Sequence, residues 1–143
     1  MRALLDVNVW IALLDDAHVF SDRANAWLQA QARPIATCPI IENGVARILS
    51  SPAYSKEASL TPGQVTGHLR TACAQMDHAF WPDDLSLRDQ RRFDFSRLHG
   101  HRQITDAYLL ALAVDNDGCL VTLDESLALG AVRGATRKHL RQI

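Results

Sequence analysis

Short apolar runs alternate with amphipathic stretches along the whole chain, and most of the runs stop at a polar residue. Ala3-Leu4-Leu5 is apolar on both faces, as a buried parallel strand would be, and it ends at Asp6-Val7-Asn8. A helical turn is predicted over residues 10–14. Ser21 is the predicted N-cap of a second helix carrying Ala24, Trp27 and Leu28, which Arg33-Pro34 ends. Ile35-Ala36-Thr37-Cys38 reads as a second strand. Pro39 then opens a helix on which Ile41, Val45, Ile48 and Leu49 share a face, with Glu42 in its first turn. Ser50-Ser51-Pro52 breaks it, and residues 54–61 read as a loop or lid-like insertion.

Thr61-Pro62 caps the next predicted helix, with Val65, Leu69, Ala72, Cys73 and Met76 along it. A short strand over 78–82 closes in the turn Pro82-Asp83-Asp84, and a charged helix is predicted over 86–95, followed by the loop His99-Gly100-His101. Thr105 is the predicted cap of a helix from Asp106 to Val114, ended by Asn116-Asp117-Gly118. Cys119-Leu120-Val121-Thr122 is the clearest strand after the first. The basic tail from Val132 predicts a last helical turn and a short edge strand ending at Ile143. Strands alternating with helices predict an α/β fold with three layers (α/β/α) and a central, mostly parallel sheet.

With 143 residues, 48% of them hydrophobic, the chain can bury one core, so one domain spanning it is expected. A formal charge of -1 excludes a globally basic polyanion binder and leaves any such role to local charge. Three widely spaced cysteines with no Cys-x-x-Cys pair fit neither a disulfide framework nor a zinc ribbon, which points to a reduced, cytoplasmic setting. No uncharged stretch reaches the ~18 residues of a membrane span.

Four acids stand at the ends of apolar runs: Asp6, Glu42, Asp106 and Asp124. A carboxylate beside a buried strand or at a helix start is costly without a partner, so four in a small domain predict convergence on one site. Ligands of open parallel sheets gather at the carboxyl ends of strands, where Asp6 and Asp124 are expected. Converging carboxylates need a cation. Hard oxygen ligands without imidazole or thiolate neighbours select magnesium or manganese, and Asn8 and Thr122 add neutral oxygens at the same edge. Such a centre suits hydrolysis of a nucleic-acid phosphodiester. Taken singly, each acid also has an ordinary structural reading, as a strand-end turn former or a first-turn helix acid.

The remaining acids, Asp83 and Asp84 among them, sit beside turns and read as local backbone partners. The tryptophans read as core or dimer contacts. Arg97 and Arg102 lead directly into Asp106 and are the candidates for contact with an RNA phosphate.

Taken in order, LLDVNVWIALL, CPIIENGVARILS, WPDDLSL, GHRQITDAYLLALA and VTLDESLA resemble a PIN domain, and more narrowly the VapC-type toxins of toxin–antitoxin pairs. The resemblance runs from about Leu4 to Leu129. It implies a magnesium- or manganese-dependent endoribonuclease, a homodimer with no membrane association, held inactive by a cognate antitoxin. Its acidic site falls on Asp6, Glu42, Asp106 and Asp124, with Asn8 and Thr122 in support; the cation ligands are Asp6, Asp106 and Asp124. Glu125, directly after the fourth acid, departs from the family's pattern. A response-regulator receiver is set aside because Lys56 and Lys138, the only lysines, follow no apolar strand. The alternative is a catalytically inactive PIN-like module that binds RNA or protein.

Overall fold

The computed structural model describes residues 1–31, 34–56 and 59–143. Five strands, β1 (Ala3–Leu5), β2 (Ile35–Thr37), β3 (His78–Phe80), β4 (Cys119–Thr122) and β5 (Leu140–Gln142), form one sheet in the order β3-β2-β1-β4-β5. Every pairing is parallel. The predicted parallel α/β sheet is therefore present, and its order reverses between β1 and β4. β1, β2 and β4 are buried along their whole length, which explains why they read as unbroken apolar runs.

The helices are α1 (Val7–Leu14), α2 (Ser21–Gln31), α3 (Pro39–Leu49), α4 (Pro62–Ala74) and α5 (Ile104–Asp115). α1 packs on α2 and α3, and α3 on α4, whereas α5 packs on β1 and β4; with the strand order reversing at β1, the right-handed crossover rule assigns α1 to α4 to one face and α5 to the other. The core between these layers includes Leu4, Leu5, Trp10, Ile41, Leu109, Leu110 and Leu120, all fully buried. Each such aliphatic side chain contributes about 1.5–3 kcal/mol relative to exposure. Gly118 lets α5 pass into β4 beside the first strand: a Cβ there would stand 2.8 Å from the Arg2 carbonyl oxygen and 2.5 Å from the Trp81 ring.

Several boundaries differ from the sequence expectation. α1 begins at Val7, not at Trp10, because Asp6 caps it directly. Ser21 is the first residue of α2 rather than its cap; Arg33, part of the expected stop, lies outside the described residues, as do Glu57 and Ala58 of the expected loop. β2 ends at Thr37, and Cys38 becomes the N-cap of α3. Thr105 lies inside α5, whose N-cap is Gln103.

No helix forms over 86–95. Asp89 accepts from the backbone N–H and the guanidinium of Arg91, Ser86 accepts from the Arg88 N–H, and Phe93 bridges antiparallel to Val132. Local side-chain bonds and a long-range bridge outcompete the helical ladder there. Among the described residues, no helix is long and apolar enough to cross a membrane.

Candidate active site

Asp6 follows β1 and is 6% exposed. Its Oδ1 accepts the Val7 N–H at 2.6 Å, and its Oδ2 accepts the Thr122 hydroxyl at 3.1 Å. The same Thr122 oxygen accepts the Asp124 N–H at 3.0 Å, so one buried threonine at the end of β4 ties the first acid to the last. These two neighbours stand at the sheet's switch point, where a parallel sheet opens a crevice. Asp124 bends back on its own loop, accepting the N–H and the hydroxyl of Ser126.

Asp106 completes the group from the first turn of α5. Burial first, then the charges of Asp6 and Asp124, push its pKa up to about 6. Asp6 is also raised, chiefly by burial, against the pull of its bonds to Thr122 and Val7; Asp124 adds to the rise. Asp124 moves the other way, lowered by the Ser126 backbone and hydroxyl. Asp106 feels the charges of Asp6 and Asp124, and Asp6 that of Asp124, so negative charge accumulates here, with the Arg47 guanidinium on the wall of the adjoining cavity.

A cavity of about 570 Å³ opens beside Asp6 and Asp106, with Asn8 at its wall. Its donors are oxygens and amides, with no histidine or thiol among them, which fits a hard divalent cation. Among the described residues, no three carboxylate, histidine or cysteine side chains have closed around a common point as a finished metal shell would. The aspartates are electrostatic neighbours in an open arrangement.

Glu42, grouped with the aspartates from the sequence, stands on another side of α3 from the cavity beside Asp6 and Asp106. It faces a separate cavity of about 330 Å³ lined by Thr66, Arg70, Cys73 and His78. Its Oε1 accepts the Thr37 hydroxyl at 2.7 Å, and that hydroxyl's oxygen lies 2.8 Å from His78 Nε2. A hydroxyl has one proton, so with Thr37 donating to Glu42, His78 donates through Nε2. The reason for the turn away is helical phase. At about 100° per residue, the core stripe of Ile41, Val45 and Leu49 separates Glu42 from the stripe of Ile40, Asn43, Gly44 and Arg47 that lines the acidic cavity.

Asn43 and Arg47, which no sequence motif singles out, line that cavity, and so does Asp83. The i, i+3, i+4, i+7 spacing of Ile40, Asn43, Gly44 and Arg47 was the available signal for the first two. Asp83, read as a turn residue, accepts the Ile40 N–H at 2.8 Å and so caps α3 from outside it. Cys38, at the N-cap, makes no side-chain cap bond, and Pro39 has no N–H, so Ile40 carries the first orphan donor. Burial, with Asp83 adding to it, pushes the Cys38 thiol up to about 12, which removes it as a nucleophile.

Arg97 pairs with Asp94 at 3.4 Å and lies against Gly130, whereas Arg102 is exposed in the short 3₁₀ turn before α5. His99 and His101 are exposed in the same loop.

Comparison with known proteins places the chain in a family. Residues 3–131 match the PIN domain family. The chain is 49% identical over 141 residues to Ribonuclease VapC44 of Mycobacterium tuberculosis, covering 98% of each. It is 40% identical over 131 residues to Ribonuclease VapC29 of the same species, covering 90% of each, and 40% identical over 135 residues to its Ribonuclease VapC39, covering 94% of this chain and 96% of that one. The crystal structure of VapBC2 from Rickettsia felis bound to a promoter DNA fragment superposes with a TM-score of 0.54 at 16% identity, over 87% of this chain and 89% of that one, a likeness of fold. The chain belongs to the PIN domain family, and within it to the VapC ribonucleases.

Proposed function

We propose that this protein is a divalent-cation-dependent endoribonuclease toxin, acting as a homodimer in the cytoplasm and neutralised by a cognate antitoxin. What supports the reading is the nearness of Asp106 to the charges of Asp6 and Asp124 beside the sheet's switch point, which with burial pushes its pKa up to about 6. The names of the ribonuclease relatives support RNA as the substrate. Three widely spaced cysteines with no Cys-x-x-Cys pair fit a reducing compartment.

Asp6, Asp106 and Asp124 would hold the cation, magnesium or manganese by their oxygen chemistry. Once bound, the ion supplies charge neutralisation at the phosphodiester and lowers the pKa of a water. The chain's own residues do the rest. Thr122 holds Asp6 in place through a buried hydrogen bond, so that its remaining lone pairs face the crevice. Asn8, exposed at the cavity wall, offers an amide to a phosphate or ribose oxygen. Arg102, beside the N-terminal end of α5, supplies positive charge on the approach; Arg97 is the secondary contact, since Asp94 already holds it.

Asp6→Asn is expected to abolish cleavage of a mixed RNA pool while leaving the far-UV circular dichroism spectrum intact, and chelation should silence the wild type reversibly. Equal cleavage by wild type and variant would remove the catalytic reading and leave an RNA- or protein-binding module.

A further inference from the structure

The acidic cavity continues past Asp6 and Asp106. Arg47 and Ile48 line it and also line a second cavity of about 410 Å³ completed by Ser51, Ala53 and Tyr54. The two cavities therefore form one groove, running from Asp6 and Asp106 over the last turn of α3 to the turn after it. Arg47 is exposed, and among the described residues it has no ion-pair partner. Its place in the last turn of α3 suits the helix dipole, which accounts for a basic residue there. The dipole does not account for the stripe it occupies, four residues after Asn43 and on the wall facing the carboxylates.

Tyr54 ends the groove. Its hydroxyl donates to Asp15 Oδ2 at the C-terminal end of α1, and its backbone N–H donates to the Ser51 carbonyl. Fixing the phenol at its tip and the backbone at its base holds the ring as a wall, with 36% of the residue exposed. A lone guanidinium followed by an anchored aromatic face is the pairing that grips single-stranded nucleic acid: cation on phosphate, ring on base.

Resting on the proposed ribonuclease function, we propose that this groove carries the substrate strand away from the cleavage site. Arg47 binds a phosphate next to the scissile one, and Tyr54 stacks the base beyond it. Both are substrate-positioning residues. The occupant is single-stranded RNA, because the groove offers one unpaired cation and one aromatic plane rather than a row of apolar pockets.

The test measures binding of a fluorescein-labelled, mixed-sequence single-stranded RNA to the Asp6→Asn protein across a salt series, with and without Arg47→Ala and Tyr54→Ala. Arg47→Ala should weaken binding and reduce the slope of log K against log salt by about 0.7, the share of one phosphate on a single strand. Tyr54→Ala should weaken binding about tenfold, Tyr54→Phe, which keeps the ring and loses only its anchor to Asp15, should weaken it less, and the Tyr54→Ala effect should vanish on an RNA abasic at the affected position. In the cleaving enzyme, Arg47→Ala should raise KM more than it lowers kcat.

An unchanged salt slope in Arg47→Ala, or equal losses in Tyr54→Phe and Tyr54→Ala, would overturn the assignment. So would unchanged RNA binding combined with weakened antitoxin binding, which would give the groove to a protein partner. Loss of cleavage by the wild type would instead strike the ribonuclease reading, and the binding measurements separate the two failures.

Discussion

Asp106 shows how much of this site is decided at the level of one side chain. Its carboxyl, held at about 6 by burial and by Asp6 and Asp124, is raised above the 3.8 of an unfolded chain. Between those values the folded protein binds more protons than the unfolded one, so the linkage runs against stability as pH rises. No penalty exists below the unfolded value, and the full penalty is present above about 6. In the presence of chelator, Asp106→Asn should therefore be more stable than wild type at pH 7, by about 1–2 kcal/mol after discounting for its partial exposure. The gap should close toward pH 4. Urea melts at both pH values check this, and a variant less stable than wild type at pH 7 would remove the idea that burying this carboxylate beside two others strains the fold. Protons also compete with a cation for these oxygens, so cation affinity should fall as pH drops through about 6.

At the scale of elements, α1 and α3 meet closely enough to place Asn8 and Asn43 in one cavity, and Gly44 permits the approach. A Cβ at Gly44 would lie 2.8 Å from Val7 Cγ2 and 3.3 Å from Val7 Cγ1, a short β-branched side chain with little room to yield. Gly44→Ala gains about 1 kcal/mol of helix propensity and loses about 1–3 kcal/mol to overpacking. A net loss of about 1 kcal/mol is expected, recovered when Val7→Ala is added, as a double-mutant cycle in thermal melts would reveal. α5 ends just as locally. Asp117, at φ 49, lets its own N–H reach the Val114 carbonyl and the Gly118 N–H reach the Ala113 carbonyl, closing the helix before β4. That ending was legible in Asn116-Asp117-Gly118. The absent helix over 86–95 was not, because its competitor is the bridge to Val132 some forty positions away.

For the whole molecule, β1, α5 and β4 bring together side chains from positions 6, 106 and 124, and a bound cation would relieve their repulsion as a unit. A ligand at a hundred times its dissociation constant adds about 2.7 kcal/mol to stability. For a chain of this size that is a rise in Tm of roughly 5–10 °C. Manganese should produce it in wild type and in Glu42→Gln, since Glu42 faces the Thr37 and His78 side instead. Asp6→Asn and Asp106→Asn should lose it. A Glu42→Gln protein that no longer responds to the metal would return that residue to the acidic site.

The order of strands and helices, the burial of β1, β2 and β4, and the acids at their ends were written in the chain itself, because apolar periodicity and strand-end polarity are local properties. Asp6, Asp106 and Asp124 stand out there as candidates because each sits at a boundary that the pattern marks. Which way a helical residue points is set by the phase of its helix against its neighbours. Only the packing of α3 between α1 and α4 could send Glu42 one way and Asn43 and Arg47 the other, and only the docking of the turn after β3 on α3 could bring Asp83 to cap Ile40. Contacts between distant segments exist once the sheet has assembled, so no window of sequence contains them.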